Sequence, residues 1–201
     1  MMKTVKKAFV YLLNFRYLMK FGSKVPAYQE KINVNPNDIK FKLKHDVAKK
    51  RITKLRRLSG CVVQGDWDQH ADNGSNEFKD DAIDARYNKG MSWEEIGMFE
   101  YKMKIFGDDS VEMHNELKKR YMKLDAIYEQ IKKDGAFSSK DKHLITLCIG
   151  RNGELIHVGQ GAHRIAIAKN LNLPTIPARI GFVHPDGISH LVAYRSLKPH
   201  K

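Results

Sequence analysis

Between Asn152 and Phe182 the apolar residues change spacing three times, and each spacing predicts a different element. The β-rich run His143–Ile149 and the return run Glu154–Val158 flank Asn152-Gly153, a pair that adopts positive φ easily, so a hairpin is predicted. A glycine-containing loop, Gly159–Ala162, then opens a helix from about His163 to Leu171, and Pro174 closes the connection. Ile176, Ala178, Ile180 and Phe182 alternate with other residues, the period of two of a half-buried strand.

The middle of the chain has helical periodicity. Phe78–Lys89 is amphipathic and is stopped at Gly90. Ser92-Trp93-Glu94-Glu95 has the form of a capping box and precedes an apolar stripe of Ile96, Phe99, Met103 and Phe106. Ser110 is placed to cap a further helix. Its buried face is Leu117, Tyr121, Leu124, Tyr128 and Ile131, and Gly135 ends it. Residues 69–77, rich in Asp, Asn, Gly and Ser, read as a loop. Near the start, Ile32-Asn33-Val34 is a short strand between Pro26 and Pro36.

The first stretch, Met1–Gly22, is basic and apolar at once. Ala8, Leu12, Phe15 and Met19 fall near helical spacing, among Lys6, Lys7, Asn14 and Arg16. Its apolar run, Ala8–Leu13, is far too short to span a bilayer, and no small-residue cleavage site follows it. The pattern as a whole is α+β: a small mixed sheet with a helical insertion at about 78–134. A basic amphipathic arm at 1–31 precedes a domain at 32–201; the arm is expected to lie on a membrane surface or to pack on the domain or a partner, and deletion of residues 1–24 is expected to leave the core folded.

Length and composition fit this picture. A chain of 201 residues, 42% hydrophobic and 29% charged, can bury a core without disulfides or metals. The two cysteines, Cys61 and Cys148, lack the spacing of a thiolate zinc site and are expected as buried thiols in a reducing cytosol. The net charge is +13, and all of the excess lies in residues 1–60, where sixteen Lys or Arg face only Glu30, Asp38 and Asp46. Residues 49–57 form a polybasic run. A segregated basic region attracts polyanions, either nucleic acid or an anionic membrane surface. The chain is therefore expected in the cytoplasm, free or peripheral at the membrane.

Two constellations carry candidate chemistry. Gly159 and Gly161 let the backbone turn tightly at a helix start whose N–H groups are unpaired, and His163 and Arg164 add donors there. That assembly suits a phosphate or another oxyanion. In Gly65-Asp66-Trp67-Asp68, two carboxylates flank an aromatic residue. Asp66 and Asp68 are candidates for holding Mg²⁺ or for general-base work, or they form an Asx-type turn anchored by Trp67. His70, Asp72 and the turn His184-Pro185-Asp186 are lesser candidates. His157 is read as structural, and Glu77, Asp80, Asp81 and Asp84 as a solvated acidic face.

The run from Gly153-Glu154-Leu155-Ile156 through Gly161-Ala162-His163-Arg164 to Leu173-Pro174-Thr175-Ile176-Pro177 resembles the ParB/sulfiredoxin superfamily over roughly residues 143–184. The resemblance implies that Gly161, His163 and Arg164 contact nucleotide phosphate. Sulfiredoxins carry a reactive cysteine where this chain has Ala162, so that activity is not expected. ParB proteins commonly have Glu there, followed by two arginines, and here Ala162 and His163 replace the first two of these. The Gly-x-His-Arg form looks closer to the kinase-like branch. A GDWD element upstream of helices and such a core is similar to a group of ParB-like proteins. The expectation is a phosphotransferase that uses ATP or another nucleotide with Mg²⁺. Gly159, Gly161, His163 and Arg164 would hold the phosphates and Asp66 and Asp68 the metal or the base. The acceptor would be a small molecule, a glycan or a lipid head group. The alternatives are a ParB-like nuclease or DNA-binding protein, and a noncatalytic module on a membrane surface.

Overall fold

The structure, a computed structural model, describes residues 2–43, 59–73, 77–137, 144–159 and 161–198. The polybasic run 49–57 and Gln160 lie outside the described residues. The fold is α+β, as the periodicity predicts. Six α-helices are described: α1 (Met2–Phe21), α2 (Glu77–Tyr87), α3 (Met98–Phe106), α4 (Val111–Asp134), α5 (Ala162–Asn170) and α6 (Ile188–Arg195). The strands are β1 (Lys31–Val34), β2 (Phe41–Leu43), β3 (Cys61–Val62), β4 (Ala71–Asn73), β5 (Ile145–Ile149), β6 (Leu155–His157) and β7 (Ile176–Val183).

They form one mixed sheet in the order β1-β7-β5-β6-β2-β4. The centre is the predicted hairpin β5–β6 and the predicted strand β7, which runs parallel to β5. With eight residues, β7 is long enough to take two short partners along its other edge. β1 pairs antiparallel with Ile176–Arg179, and β3 pairs parallel with Phe182 and Val183. Burial explains why the central strands read clearly in sequence. Leu147 and Ile149 enter the main core on one face of β5, and Cys148 enters a second cluster with Trp67, Ile156 and Phe182 on the other. Both cysteines are buried, and burial pushes the Cys61 thiol up to about 11.

The inserted helices close over the main-core face. Ser110 Oγ accepts from the Met113 N–H at 3.1 Å to start α4, and Gly135 ends it at φ +66°. Leu117, Tyr121, Tyr128 and Ile131 are buried as expected, and Leu124 is partly buried. The Ser92–Glu95 capping box forms with both reciprocal bonds, 2.7 and 3.2 Å, but it closes only one turn. Gly97, at φ +72°, breaks the backbone before α3 begins. The stripe then buries Phe99 and leaves Phe106 exposed.

Three expectations need correction. Residues 71–73, expected as loop, form β4 on β2. The helix α6 follows the His184–Gly187 turn unannounced by any strong periodicity. The third concerns the N-terminal arm, which is tied into the domain. Asn14 is 1% exposed, donates Nδ2–H to the Gly60 carbonyl at 2.8 Å and accepts the Val62 N–H on Oδ1 at 2.8 Å. Val10 and Tyr17 are buried on the same side of α1. Arg195 adds a clasp, pairing with Glu30 at 2.6 Å and donating to the Ser23 and Val25 carbonyls. Asn14→Ala strands the Val62 N–H and the Gly60 carbonyl in the interior. It is expected to cost about 2 kcal/mol in chemical denaturation. Removal of residues 1–24 therefore damages the fold rather than trimming it.

Candidate functional site

The two predicted constellations lie at opposite ends of β5. Gly161 sits against the start of the strand: a Cβ on it would stand 2.5 Å from Ile145 Cγ2. Asp68 sits past the end, where its carboxylate accepts the backbone N–H of Arg151 at 2.8 Å. The five residue steps from Ile145 to Gly150 span about 16 Å in extended chain. The expected arrangement, with Asp66 and Asp68 serving phosphates held at Gly161, is not assembled.

Asp66 and Asp68 do converge, but on a cation of the protein's own. Arg151 Nη2 donates to Asp66 Oδ1 and Asp68 Oδ1, both at 2.9 Å, and Nε donates to Asp68 Oδ2 at 2.9 Å. The Asp68 side chain is 4% exposed and that of Asp66 70%. Burial alone would raise the Asp68 carboxyl, yet the hydrogen bonds and charge of Arg151 hold it below the ordinary value. Trp67 is buried edge-on to Phe182 and donates its Nε1–H to the Val63 carbonyl at 3.0 Å. The residues present do not fit Mg²⁺ here, because the guanidinium occupies the position a metal would take between the carboxylates. Among the described residues no group of three or more His, Cys, Asp and Glu side chains is arranged to hold a metal. His184 Nδ1 accepts the Asp186 N–H at 3.3 Å, which makes that segment a turn, as expected.

Gly159 and Gly161, the described glycines of the predicted loop, precede the start of α5, and the surroundings are more heavily charged than the loop's own residues suggest. Gly159 and Gly161 have φ of +82° and +114°, conformations that a side chain rarely adopts. No side chain caps the start of α5. The N–H groups of Arg164 and Ile165 turn back to the Gly161 carbonyl, at 3.0 and 3.2 Å, which leaves the first amides of the helix pointing out of the turn. Arg164 is half-buried on this turn. His163 lies under the inserted helices, its ring edge-on to Tyr121 at 5.9 Å. His163 Nε2 and Tyr121 Oη are both buried with no hydrogen-bond partner, and Tyr121 is 1% exposed.

The charges of three cations from three other helices act on His163. Aromatic contacts draw the helices together: Phe78 of α2 meets Tyr101 of α3 at 4.3 Å, and Phe99 of α3 meets Tyr121 of α4 at 5.6 Å. Lys79, Lys102 and Arg120 ride on those neighbours. Burial, then the charges of Lys79, Arg120 and Lys102, pushes the His163 ring down to about 3, so it is neutral. Burial and the charges of Lys102, Lys42 and Arg120 lower the Lys79 ammonium to about 8. The Lys102 ammonium is lowered for the same kinds of reason. Asp80, next to Lys79, is turned to Lys169 at 2.9 Å. Among the described residues no salt bridge is formed to Lys79, Lys102 or Arg120, although the charge of Asp80 acts on Lys79 and partly offsets its lowering. Neutralising neighbours normally accompany partly buried cations. Lys79 and Lys102 are half-buried and Arg120 is exposed; with two orphaned polar atoms and an uncapped helix start beside them, the group has donors that fit a phosphate.

Sequence reading misses Lys79, Lys102, Arg120 and Tyr121. Each is a helix residue in an amphipathic segment, and only packing shows that they face one point. Arg120 also lines a cleft of about 470 Å³ between Phe106 and the Met113, Glu116 and Leu117 side of α4. That volume falls within the roughly 300–1,000 Å³ usual for small-molecule sites.

The pH dependence follows from His163. Its folded-state pKa, about 3, lies below its ordinary 6.5, so the unfolded chain takes up a proton first on acidification. The contribution is fully present above pH 6.5 and is lost as pH falls towards 3. His163→Phe should flatten the loss of stability across that window in denaturation curves.

No family model, curated protein or solved structure matches the chain.

Proposed function

We propose that the protein binds the phosphate groups of a nucleotide or a similar phosphate ester at the start of α5, as a nucleotide-dependent phosphotransferase. The observation that carries this reading is the combined charge of Lys79, Lys102 and Arg120 acting on half-buried His163 at an uncapped, glycine-led helix start, with no salt bridge to these cations among the described residues. The resemblance of residues 143–184 to the ParB/sulfiredoxin superfamily supports the same ligand. Preorganised cations stabilise charge on a transferring phosphoryl group, so the cluster suits that chemistry. His163, held neutral, contributes as a hydrogen-bonding group rather than as a charge. Asp66 and Asp68 stand outside this reading, because Arg151 holds them at the far end of β5.

The test is a thermal-shift titration with inorganic phosphate, pyrophosphate, ATP and GTP, each with and without Mg²⁺. A ligand that binds the folded state raises the melting temperature. Lys79→Met and Arg120→Met are expected to weaken the best of these ligands about tenfold or more each, since a charge-assisted bond contributes about 1.5–3 kcal/mol. Affinity should also fall as pH rises through about 8, where Lys79 loses its proton. No stabilisation by any phosphate compound, or a response unchanged in both variants, overturns the reading.

A further inference from the structure

We propose that the outward face of α1 docks on an anionic lipid surface. The helix is pinned to the domain on one side by Val10, Asn14 and Tyr17. At 100° per residue, the side chains opposite that stripe are Val5, Ala8, Leu12, Phe15 and Met19, with Phe9 beside them. Leu12 is 70%, Phe15 62% and Met19 76% exposed, and Val5 and Phe9 are exposed as well. From Val5 to Met19 the helix thus carries an apolar stripe about 21 Å long facing away from the protein. A stripe of this kind on a soluble surface marks an interaction site.

Its borders say what covers it. The helix contains five basic residues and no acidic one. Arg16 and Lys20 follow the stripe on one side and Tyr11 on the other, with Lys6 and Lys7 further round towards the buried side. Lys7 lies over the Tyr11 ring at 5.9 Å, and Lys20 lies over Phe21 at 5.0 Å. An apolar face with basic side chains on one flank and a lysine-covered tyrosine ring on the other fits the boundary between acyl chains and negative headgroups. A protein partner would need an acidic rim around an apolar groove of the same length. Crossing the bilayer is not involved: among the described residues no helix is long and apolar enough to do so. The inner face already fixes the helix, so no ordering cost accompanies docking. That separates this device from a disordered basic arm, which would fold as it binds.

The proposal is independent of the phosphate site and is tested on the full chain by vesicle flotation. Vesicles of phosphatidylcholine alone and of phosphatidylcholine mixed with phosphatidylserine are compared at low and high salt. Binding is expected on the mixed vesicles at low salt, weakening as salt rises. The triple variant Leu12→Ser, Phe15→Ser, Met19→Ser should lose at least tenfold in partitioning and keep its melting temperature, because those side chains face solvent. Lys7→Gln with Lys20→Gln should weaken binding to the mixed vesicles and leave the small affinity for neutral ones unchanged. Three results overturn the proposal. They are absence of flotation with the mixed vesicles, equal flotation of the triple variant, and a concentration-dependent dimer that the triple variant abolishes while vesicles go unbound.

Discussion

Gly161→Ala is expected to destabilise the protein by about 3–4 kcal/mol and to abolish its response to phosphate compounds. Two penalties combine. A residue with a side chain at φ +114° sits in a region that costs about 1–3 kcal/mol. The new methyl group also meets Ile145 Cγ2 at 2.5 Å and Ile145 Cβ at 3.3 Å. Ile145 is buried, opens the central strand and is branched at Cβ, so it has no easy rotamer to move to. Overpacking of this kind costs about 1–3 kcal/mol. The relief available is to shift the start of α5 away from β5. That movement carries His163 out from under Tyr121 and scatters the cations around it. Urea denaturation reads the first effect and ligand-induced melting shifts the second. If Gly161→Ala keeps both parent values, the loop is not the tight joint described.

The second large effect belongs to Asp68. Asp68→Ala should cost about 3 kcal/mol, because it leaves an arginine and its own backbone N–H without the carboxylate that satisfies both. In a chain of this length that corresponds to a melting temperature lower by roughly 6–12 °C. Asp66→Ala should leave the melting temperature nearly unchanged, since its side chain is 70% exposed and its single bond to Arg151 is screened by water. Asp68 titrates below the ordinary carboxylate value. Its contribution is therefore present above that ordinary value and is lost as acid takes pH down through the folded-state pKa. A metal-binding or general-base pair predicts the reverse pattern: both substitutions would remove turnover and neither would move the melting temperature.

The contrast between these two positions shows what a linear sequence conveys. Gly159 and Gly161 announce a tight turn because glycine's backbone freedom is a local property. Ser110 and Gly135 mark the ends of α4 for the same reason. Asp66 and Asp68 announce charge, but their partner Arg151 stands more than eighty positions later inside a turn, and nothing near it in sequence points back. The strands β2 and β4 are three residues each and are held by their pairing with one another and with β6, so no run of side chains signals them. The helix α1 shows a different failure. It is apolar on nearly every side, and its periodicity selects Ala8, Leu12, Phe15 and Met19 as naturally as any other stripe. The buried side is chosen instead by Asn14, whose amide matches the Gly60 carbonyl and the Val62 N–H of a segment brought alongside only by the fold. Lys79, Lys102 and Arg120 look like ordinary solvated helix charges until the aromatic contacts turn three helices towards one histidine.

The strand order has a consequence for how the chain is made. Val34 in β1 pairs with Ile176, and Cys61 in β3 with Phe182, so these two strands have no partner until residues 176–183 exist. At about 5–20 residues per second, the nascent N-terminal third waits roughly 7–30 s for β7 to leave the ribosome. Throughout that interval Val10, Tyr17 and Ile32 have no core to enter. Newly made protein should therefore be most vulnerable to aggregation and proteolysis late in translation. A chain stalled before residue 176 should be captured by chaperones, whereas one extended past residue 195 should resist protease.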